Sequence, residues 1–501
     1  MKWDYIIVQA GGKGTRMQHL TRNKPKALVP IENRPMLFHL FELYPEKRFI
    51  IIGDYKFSVL EKYLAAFAPV NYTLVNANGK RGTCSGLNLA LKLIPRQEAF
   101  LLIWSDLILD KGFDSSQLRQ ENYVGISQKF ECRWKYENNQ FVEERSRTYG
   151  VAGLFLFKEK GVLDNLPEEG EFVKWLSFQP CSFLPLILDN VKEYGLLSEY
   201  ERLEKIKCRP FNRITLYDDY VLKEGIDAQG LQLGIREKAW YEKTMDSGYK
   251  NLPHIYSLNP LKLERIHGKN IYEYTNLSIE EKGEILKQII GCLKQLHECG
   301  RIPYDGKSYR KAYLGKTFER LEKVKNLIPF SQEQYIVING KKCRNVFFYE
   351  EELIEMFDEI KPDYFVFLHG DCTFSNIMLR EDTEPVLIDP RGYFGDTEIY
   401  GDEAYDWAKL YYSIVGNYDQ FNLKRFSLSI EERSVRLQID SSGWEPLEEL
   451  FWILLSDNVN RKQIKLIHAI IWLSLTTYAW EDYDSICGAF YNGIQYLEEV
   501  L

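Results

Sequence analysis

The sequence predicts an α/β protein of two domains, a doubly wound parallel sheet followed by a bilobal α+β domain. The chain has 501 residues, more than one ordinary hydrophobic core holds. Short β-rich runs alternate with helical patterns up to about residue 203, and mostly helical patterns follow from about residue 276. We therefore predict domains at residues 1–207 and 208–501. The second is expected to have an N-terminal lobe at 208–275 and a C-terminal lobe at 276–501.

The first domain is expected to consist of parallel strands connected by helices. The β-rich runs are DYIIVQ, RFIIIGD, NYTLVNA and AFLLIWSD, and YGVAGLFLF would extend the same sheet. The segments between them that have helical spacing of apolar residues are RPMLFHLFELY, KFSVLEKYLAAF and GTCSGLNLALKLI. This alternation is typical of a Rossmann-like sheet that helices cover on both faces.

The second domain is expected to open with a small sheet. FNRITLYDDYVLKEG predicts two strands joined by a polar turn, and LGIREKAWYEKTMDSG predicts a helix that ends in glycine. The remainder is mostly helical, apart from the loop-like stretch FLHGDCTFSNIML at residues 367–379. A strand-containing lobe followed by a helical lobe gives the bilobal α+β prediction.

Composition restricts the function classes. A hydrophobic fraction of 45% and a charged fraction of 27% are typical of a soluble globular protein. The net charge of -8 argues against a nucleic-acid partner, which would require a basic face. Scattered cysteines without metal-binding spacing, no secretory leader and no clean membrane span favour a cytoplasmic enzyme of small-molecule substrates. The oligomeric state stays open.

A glycine-rich turn follows the first predicted strand. In QAGGKGTRM, three glycines allow the backbone to approach a phosphate group, and a lysine and an arginine supply positive charge: Gly11, Gly12, Lys13, Gly14 and Arg16. The turn lacks the GK[ST] ending of a Walker A loop. Lys26 follows soon afterwards on a proline-flanked turn.

The order GTRM, PKALVPI and RPML resembles the sugar nucleotidyltransferase family. The resemblance covers about the first 200 residues. It implies that the glycine loop, Arg16 and Lys26 hold a nucleoside triphosphate, with Lys26 and Arg16 as catalytic residues. It also implies that the GT-containing turn lies against the base, which adds Gly82, Thr83 and Ser85.

The same resemblance implies a magnesium site. AFLLIWSD ends in Asp106, and a carboxylate there suits Mg²⁺, which takes few carboxylates plus phosphate oxygens. The family usually places a second metal aspartate in a D-x-G-T turn. This sequence has Glu193 and Gly195 at the equivalent place, so Glu193 is the candidate second ligand, while its longer side chain puts the octahedral geometry in doubt.

The second site is predicted from the spacing of three polar residues. Asn376 follows Asp371 by five residues, and Asp389 comes thirteen residues later at the end of an apolar strand. Kinases use this spacing for a base that accepts the hydroxyl proton, Asp371, and for two magnesium ligands, Asn376 and Asp389. The HGD start and IDP in place of DFG resemble the aminoglycoside phosphotransferase and choline kinase family. That resemblance implies that Asp406, grouped with the nucleotide-site residues, braces the catalytic loop; a solvated helix N-cap is the alternative.

Two further residues complete the predicted ATP site. Lys223 lies near the end of a predicted strand, where a kinase lysine grips the α- and β-phosphates of ATP. Glu237 lies fourteen residues later on a predicted helix, where an ion pair would orient that lysine. A surface pair without function is the alternative interpretation. The glycine-rich cover loop of kinases is absent from FNRITLYDDY.

The two resemblances together predict a bifunctional enzyme. A kinase makes a phosphate ester from ATP, and a nucleotidyltransferase joins that ester to a nucleotide, so one chain would perform consecutive steps with Mg²⁺. The expected product is an NDP-activated sugar or polyol for cell-surface glycan assembly, made with CTP or, less favoured, UTP or GTP. Two alternatives stay open: a choline or ethanolamine kinase fused to a phosphocholine-type cytidylyltransferase, and a kinase with a non-catalytic N-terminal domain.

Overall fold

The computed structural model describes residues 1–110, 112, 118–203, 212–456 and 459–501. The chain forms two compact units. Unit 1 comprises Met1–Glu204 and Trp480–Asp484, and unit 2 comprises Lys205–Ala479 and Ser485–Leu501. The domain boundary predicted between residues 207 and 208 lies outside the described residues.

Unit 1 is built on a large mixed sheet. Its strands are β1 Tyr5–Gln9, β2 Pro30–Ile31, β3 Arg34–Pro35, β4 Arg48–Gly53, β5 Tyr72–Asn76, β6 Phe100–Trp104, β7 Leu107–Leu109, β8 Tyr123–Ser127, β9 Lys135–Glu137, β10 Gln140–Val142, β11 Gly150–Phe157, β12 Leu184–Leu188 and β13 Val191–Glu193. Its helices are α1 Met36–Leu43, α2 Phe57–Phe67, α3 Leu87–Lys92, α4 Phe172–Leu176 and α5 Leu197–Glu201.

The strand order of the central sheet is β10-β9-β11-β6-β1-β4-β5. Strands β6, β1, β4 and β5 run parallel, and β11 pairs antiparallel with β6. The parallel strands read as nearly continuous apolar runs because both of their faces are buried. The chain leaves β1 for one side of the sheet and reaches β6 on the other, so the carboxyl ends of β1 and β6 form the switch point where ligands bind in such sheets.

This topology confirms the doubly wound, Rossmann-like fold predicted for the N-terminal residues. Each predicted helix crosses between strands as expected; α3, for example, buries Leu87 and Ala90 in the same core as Ile7 and Ile52. Outside the main sheet, β7 pairs antiparallel with β13. That pairing brings residues near position 193 back to the end of β6.

Unit 2 begins with the small antiparallel sheet that the sequence predicts. The strands of the whole of unit 2 are β14 Asn212–Leu216, β15 Tyr220–Gly225, β16 Ile255–Leu258, β17 Leu261–Glu264, β18 Arg301–Pro303, β19 Tyr335–Ile338, β20 Lys341–Arg344, β21 Tyr364–Phe367, β22 Ile377–Arg380, β23 Glu384–Leu387, β24 Tyr400–Gly401, β25 Phe426–Ile430 and β26 Val435–Ile439. Its helices are α6 Ala228–Asp246, α7 Ile279–His297, α8 Gly306–Arg310, α9 Lys316–Val324, α10 Glu350–Glu359, α11 Glu403–Ile414, α12 Tyr418–Asn422, α13 Glu448–Leu455, α14 Arg461–Leu475 and α15 Tyr483–Val500.

Two lobes follow one another along unit 2. The first has the sheet order β14-β15-β17-β16 with α6 beside it, and the second is dominated by helices α7 to α15. Helix α7 starts where Ser278 Oγ accepts a hydrogen bond from the backbone N–H of Glu281, and the side chain of Glu281 completes the capping box. Within the described ranges, no helix has the length and apolar content needed to cross a membrane.

The second lobe contains a sheet that the helical patterns did not predict. Strands β20, β19, β26 and β25 form it in that order. The hairpin between β19 and β20 turns at Asn339 and Gly340, which have positive φ angles of 52° and 80°. Asn-Gly at this place is typical of a tight hairpin, but the polar residues of β20 conceal the strand pattern in the sequence.

Candidate active sites

The glycine loop of unit 1 follows the carboxyl end of β1. Gly14 has a φ angle of 61°, and a Cβ there would lie 2.9 Å from Thr21 Cγ2 and 3.0 Å from Lys26 Cβ. Gly11 lies against Asp54, and Gly12 faces open space. A side chain at position 14 would therefore push apart the loop and Lys26, which the structure brings together. Lys13 and Arg16 extend from this loop as exposed side chains.

Lys26, Asp106 and Glu193 meet at the carboxyl end of β6. The Nζ of Lys26 forms an ion pair with Oδ2 of Asp106. Glu193 reaches the same place because β13 pairs with β7, and the N–H of Tyr194 donates to the carbonyl of Asp106 over 3.2 Å. A Cβ built on Gly195 would lie 3.0 Å from Glu193 Oε1 and 3.4 Å from an Arg16 Nη, which places that guanidinium in the same group.

The electrostatics of this group suit a cation and a phosphate chain. Burial and, to a smaller extent, the neighbouring Asp106 carboxylate raise the pKa of Glu193 to about 7, although Lys26 and Arg16 oppose that rise. Two close carboxylates are oxygen ligands of the kind that Mg²⁺ prefers. In the part of the chain that the structure describes, no three His, Cys, Asp or Glu residues form a self-sufficient metal site. The substrate phosphates would have to complete the coordination.

The GT-containing turn lies beside the same strand end. The side-chain amide of Gln9, the last residue of β1, donates to the carbonyl of Thr83 over 2.6 Å. Gly82 has a φ angle of 89°, and a Cβ there would lie 2.2 Å from the carbonyl oxygen of Gly170. The Ser85 hydroxyl donates to the carbonyl of Gly82 over 2.6 Å, so it stabilises the turn itself. The sequence did not single out Gln9, although its place directly before the glycine loop was a signal.

In unit 2 the catalytic-loop residues lie together as their spacing predicts. The side-chain amide of Asn376 donates to Oδ2 of Asp371 over 3.0 Å and to the carbonyl of Asp371 over 2.8 Å. Lys409 on α11 lies 2.8 Å from Oδ1 of Asp371. The N–H of Ile388 donates to the carbonyl of Asn376 over 3.0 Å, which fixes the strand end before Asp389 beside the loop.

The predicted ion pair is present in the first lobe of unit 2. The Nζ of Lys223 on β15 lies 2.8 Å from Glu237 on α6 and 2.6 Å from Oδ1 of Asp389. Burial raises the pKa of Glu237 to about 7. Burial lowers the pKa of Lys223, but the carboxylates of Asp389 and Glu237 together outweigh it and keep the ammonium charged. The Lys223–Glu237 pair is mostly buried and is not a surface ion pair.

Asp406 lies beneath the catalytic loop. Its carboxylate is fully buried and accepts hydrogen bonds from the backbone N–H groups of His369 and Gly370 over 2.9 and 2.7 Å, and from Nε2 of His297 over 3.1 Å. Burial raises the pKa of Asp406, but the bonds and charges of the two histidines hold it below its usual value. Its place beneath the loop is the bracing position that the family resemblance implies and not that of a solvated helix cap.

The glycine-rich cover is replaced by a tyrosine turn. Between β14 and β15, the N–H of Tyr217 donates to the carbonyl of Tyr220 over 2.9 Å, and the two rings stack 4.3 Å apart. The sequence predicted a polar turn here and no glycine motif.

Comparison with known proteins matches one family model in each half of the chain. Residues 5–123 match the family model described as Nucleotidyl transferase, and residues 257–449 match the model described as Phosphotransferase enzyme family. The chain carries a nucleotidyltransferase domain and a phosphotransferase-family domain. The two family resemblances, the enzyme class and the kinase-like fold expected of the second domain are thereby confirmed.

Several relatives are similar to the nucleotidyltransferase domain. The UTP–glucose-1-phosphate uridylyltransferase AglF of Haloferax volcanii is 30% identical over 118 residues, 23% of this chain and 48% of the relative. The glucose-1-phosphate cytidylyltransferase of Salmonella typhimurium is 29% identical over 130 residues, 21% of this chain and 51% of the relative. The chain thus spans about half the length of these curated relatives. The crystal structure of HddC from Yersinia pseudotuberculosis shares 19% identity and covers 40% of this chain and 97% of its own, with a TM-score of 0.35.

The phosphotransferase-family domain contains two functional neighbours that sequence reasoning missed. Lys409 contacts Asp371, and His297 contacts Asp406. Lys409 stands three residues after Asp406 on α11, so helical spacing could have indicated that both approach the same loop. His297 is the last residue of α7, and nothing in its local sequence indicates its partner.

Proposed function

We propose that the protein phosphorylates a sugar or polyol with ATP and then transfers a nucleotidyl group from a second NTP to the phosphate ester. We assign the first reaction to residues 208–501 and the second to residues 1–207. The product would be an NDP-activated precursor for cell-surface glycan assembly, made in the cytoplasm. One observation supports this proposal above all. Unit 1 groups Lys26 with Asp106 and Glu193, and unit 2 has its own group around Asp371, so one chain contains a separate candidate site for each reaction.

The phosphoryl transfer follows from the groups around Asp371. The acceptor hydroxyl oxygen forms a bond to the γ-phosphorus of ATP, the bond from that phosphorus to the bridging oxygen breaks, and ADP leaves. Asp371 receives the hydroxyl proton, and Asn376 orients its carboxylate at 3.0 Å. Lys223 would hold the α- and β-phosphates because Glu237 fixes its ammonium group at 2.8 Å.

The nucleotidyl transfer follows from the group at the end of β6. A phosphate oxygen of the ester attacks the α-phosphorus of the NTP, and the bond to the pyrophosphate breaks. Lys26 and Arg16 would stabilise the negative charge that this step concentrates on the phosphates. One of the relatives named above is a UTP–glucose-1-phosphate uridylyltransferase and the other is a glucose-1-phosphate cytidylyltransferase. These names support CTP and UTP as the nucleotides to test first, ahead of GTP.

The oxygen ligands in both units suit magnesium. Asn376 and Asp389 would hold it in the phosphotransferase domain, and Asp106 and Glu193 would hold it in the nucleotidyltransferase domain. Bound Mg²⁺ supplies positive charge that offsets the phosphate oxygens.

The choline alternative has less support. Of the four aromatic residues that the sequence offers for a cage around a quaternary ammonium, Trp407, Tyr411 and Trp472 are at most 3% exposed and pack in the core of unit 2, whereas Trp480 is partly exposed. A non-catalytic N-terminal domain would also have little reason to retain Lys26, Asp106 and Glu193 in one group.

A mass-spectrometric product screen tests the proposal. The purified chain receives Mg²⁺, ATP and one of CTP, UTP, GTP or dTTP with a panel of sugars, polyols, choline and ethanolamine. An NDP-linked product from an unphosphorylated sugar or polyol is expected. If an acceptor were phosphorylated but no phosphate ester caused pyrophosphate release from an NTP, the function would be that of a kinase with a non-catalytic N-terminal domain.

A further inference from the structure

Four cationic side chains converge on the acceptor side of the phosphotransferase domain. They come from α9, from the segment after Asp389 and from α11, together with three tyrosines. We call this set the basic cluster: Lys316, Arg320, Arg391, Lys409, Tyr393, Tyr405 and Tyr478. Lys409 contacts Asp371, and the N–H of Arg391 donates to the carbonyl of His369 over 2.9 Å, so the basic cluster adjoins the catalytic loop.

Tyrosine rings and hydroxyls hold the guanidinium groups in place. Arg391 donates from one Nη to the Tyr405 hydroxyl and from the other to the Tyr393 hydroxyl over 2.9 Å. Arg320 lies over the ring of Tyr478 at 4.4 Å and donates to the carbonyl of Ser474 over 2.7 Å. These neutral partners orient both guanidinium groups and leave their positive charge uncompensated.

Lys316 is the least compensated member of the basic cluster. Its ammonium group lies 5.7 Å from the ring centre of Tyr405, and it forms no hydrogen bond or ion pair with any described residue. Burial lowers its pKa well below the usual value, and the charges of Arg391, Arg320 and Lys409 lower it further. A lysine in this setting loses its proton easily, and an anion bound beside it would favour its charged form.

The balance of charge in the basic cluster indicates which ligand it fits. Of its four cations, Lys409 pairs with the carboxylate of Asp371, whereas Arg320 and Arg391 are held by tyrosines. The triphosphate has its own lysine, Lys223, with Glu237 and Asp389 in the first lobe. The excess positive charge therefore stands where the acceptor, not the nucleotide, is expected to lie.

We infer that the acceptor of the phosphotransferase domain is a hydroxylated anion, whose carboxylate or phosphate monoester is held by Lys316, Arg320 and Arg391 while Asp371 receives the hydroxyl proton. This inference rests on the proposed kinase function and narrows its substrate class. Planar guanidinium groups bind both kinds of oxyanion through paired hydrogen bonds. A cationic amino alcohol would instead be repelled.

The first test compares matched acceptors. Wild-type protein receives Mg²⁺ and ATP with sets that each contain a neutral alcohol, its carboxylate and its phosphate monoester, such as glucose, glucuronate and glucose 6-phosphate. Because a hydrogen-bonded charge contributes about 1.5–3 kcal/mol per contact, kcat/KM for one charged member should exceed that of its neutral counterpart by at least about 100-fold. The preferred member distinguishes a carboxylate from a phosphate. Preference for a neutral or cationic acceptor would overturn the inference and leave the kinase function standing.

The second test uses Lys316→Gln, with Lys323→Gln on the exposed face of the same helix as the matched control. Lys316→Gln should raise the acceptor KM by about 10- to 100-fold and leave the KM for ATP unchanged, because one charged contact is lost. Lys323→Gln should change neither constant. A rise in the KM for ATP instead would assign the basic cluster to the nucleotide.

A binding measurement keeps the inference testable without turnover. Inorganic phosphate is titrated calorimetrically into wild type and Lys316→Gln in the presence of saturating Mg²⁺ and ADP. Binding to the variant should be at least about 10-fold weaker, while its Tm is equal or higher because like-charge repulsion is relieved. Equal phosphate binding would overturn the inference. Failure to phosphorylate any acceptor, with the binding difference intact, would count against the proposed kinase function alone.

Discussion

The two active sites of this chain differ in how their charges are balanced. In the nucleotidyltransferase domain, Lys26 and Arg16 stand against Asp106 and Glu193, so two cations face two carboxylates. Beside the catalytic loop of the phosphotransferase domain, the basic cluster holds four cations, and one of them, Lys409, pairs with the carboxylate of Asp371. A balanced group can remain folded without ligand at little electrostatic cost, whereas an excess of one sign requires a ligand of the other sign. The proposed substrate class therefore rests on the basic cluster rather than on the groups assigned to the nucleotides.

The sharpest way to separate the two sites is Asp371→Asn. Because the substitution removes the proton acceptor, phosphorylation should fall by at least about 100-fold. Nucleotidyl transfer to a supplied phosphate ester should be unchanged, and both rates are followed by mass spectrometry of the products. Loss of both activities in a folded protein would show that the sites are not independent.

The reverse separation is expected from Lys26→Ala. Loss of a cation that offsets phosphate charge should lower pyrophosphate release by about 100-fold, with phosphorylation by ATP unchanged. Asp106→Asn serves as a second variant in the same site and should give the same direction. If either variant impaired only the kinase, the assignment of Lys26 and Asp106 to nucleotidyl transfer would be wrong.

Unit 2 should also lose stability in acid because of His468. Burial lowers its pKa to about 3, and its Nε2 accepts a hydrogen bond from Trp472 over 3.0 Å. Because the folded state holds His468 in its neutral form, this histidine favours folding fully above pH 6.5, where it is also neutral in the unfolded state. The contribution is lost as the pH falls toward 3, since the unfolded state binds a proton that the folded state does not. At pH 5 the loss should be about 2 kcal/mol.

Urea unfolding at pH 8 and pH 5 measures this effect. His468→Gln should abolish that part of the pH dependence, since glutamine can still accept from Trp472 and does not titrate. His254→Gln, at an exposed position of the same unit, should leave the wild-type pH dependence in place. If wild type and His468→Gln had the same dependence of unfolding free energy on pH, His468 would not be the cause of the acid destabilisation.

The smallest expected effect distinguishes two neighbouring glycines of unit 1. Gly14→Ala introduces a Cβ at a φ angle of 61° and 2.9 Å from Thr21, and it should lower the free energy of unfolding by about 1 kcal/mol. Gly12→Ala meets nothing within 4 Å and should leave that free energy unchanged. Thermal unfolding followed by circular dichroism compares the two. Equal losses of unfolding free energy would mean that the positive φ angle and the close contacts at position 14 do not require glycine.

Much of unit 1 could be predicted because its signals are local. The runs DYIIVQ and AFLLIWSD correspond to β1 and β6, and YGVAGLFLF corresponds to β11. Buried parallel strands need continuous apolar residues, so the sequence shows them directly. In unit 2, the sheet formed by β20, β19, β26 and β25 was not predicted, because β20 is rich in lysine and arginine and lacks the apolar run that marks a buried strand.

The sequence by itself indicated the two enzyme families, because the glycine loop with Lys26 and the Asp371, Asn376 and Asp389 spacing each lie within one short segment of the chain. Only the tertiary structure decided the surroundings of Asp371. Lys316, Arg391 and Lys409 belong to three separate segments, and each alone is an ordinary basic residue. Long-range packing brings like charges together against their repulsion, and no local pattern can record a cluster whose members are neighbours only in the folded chain.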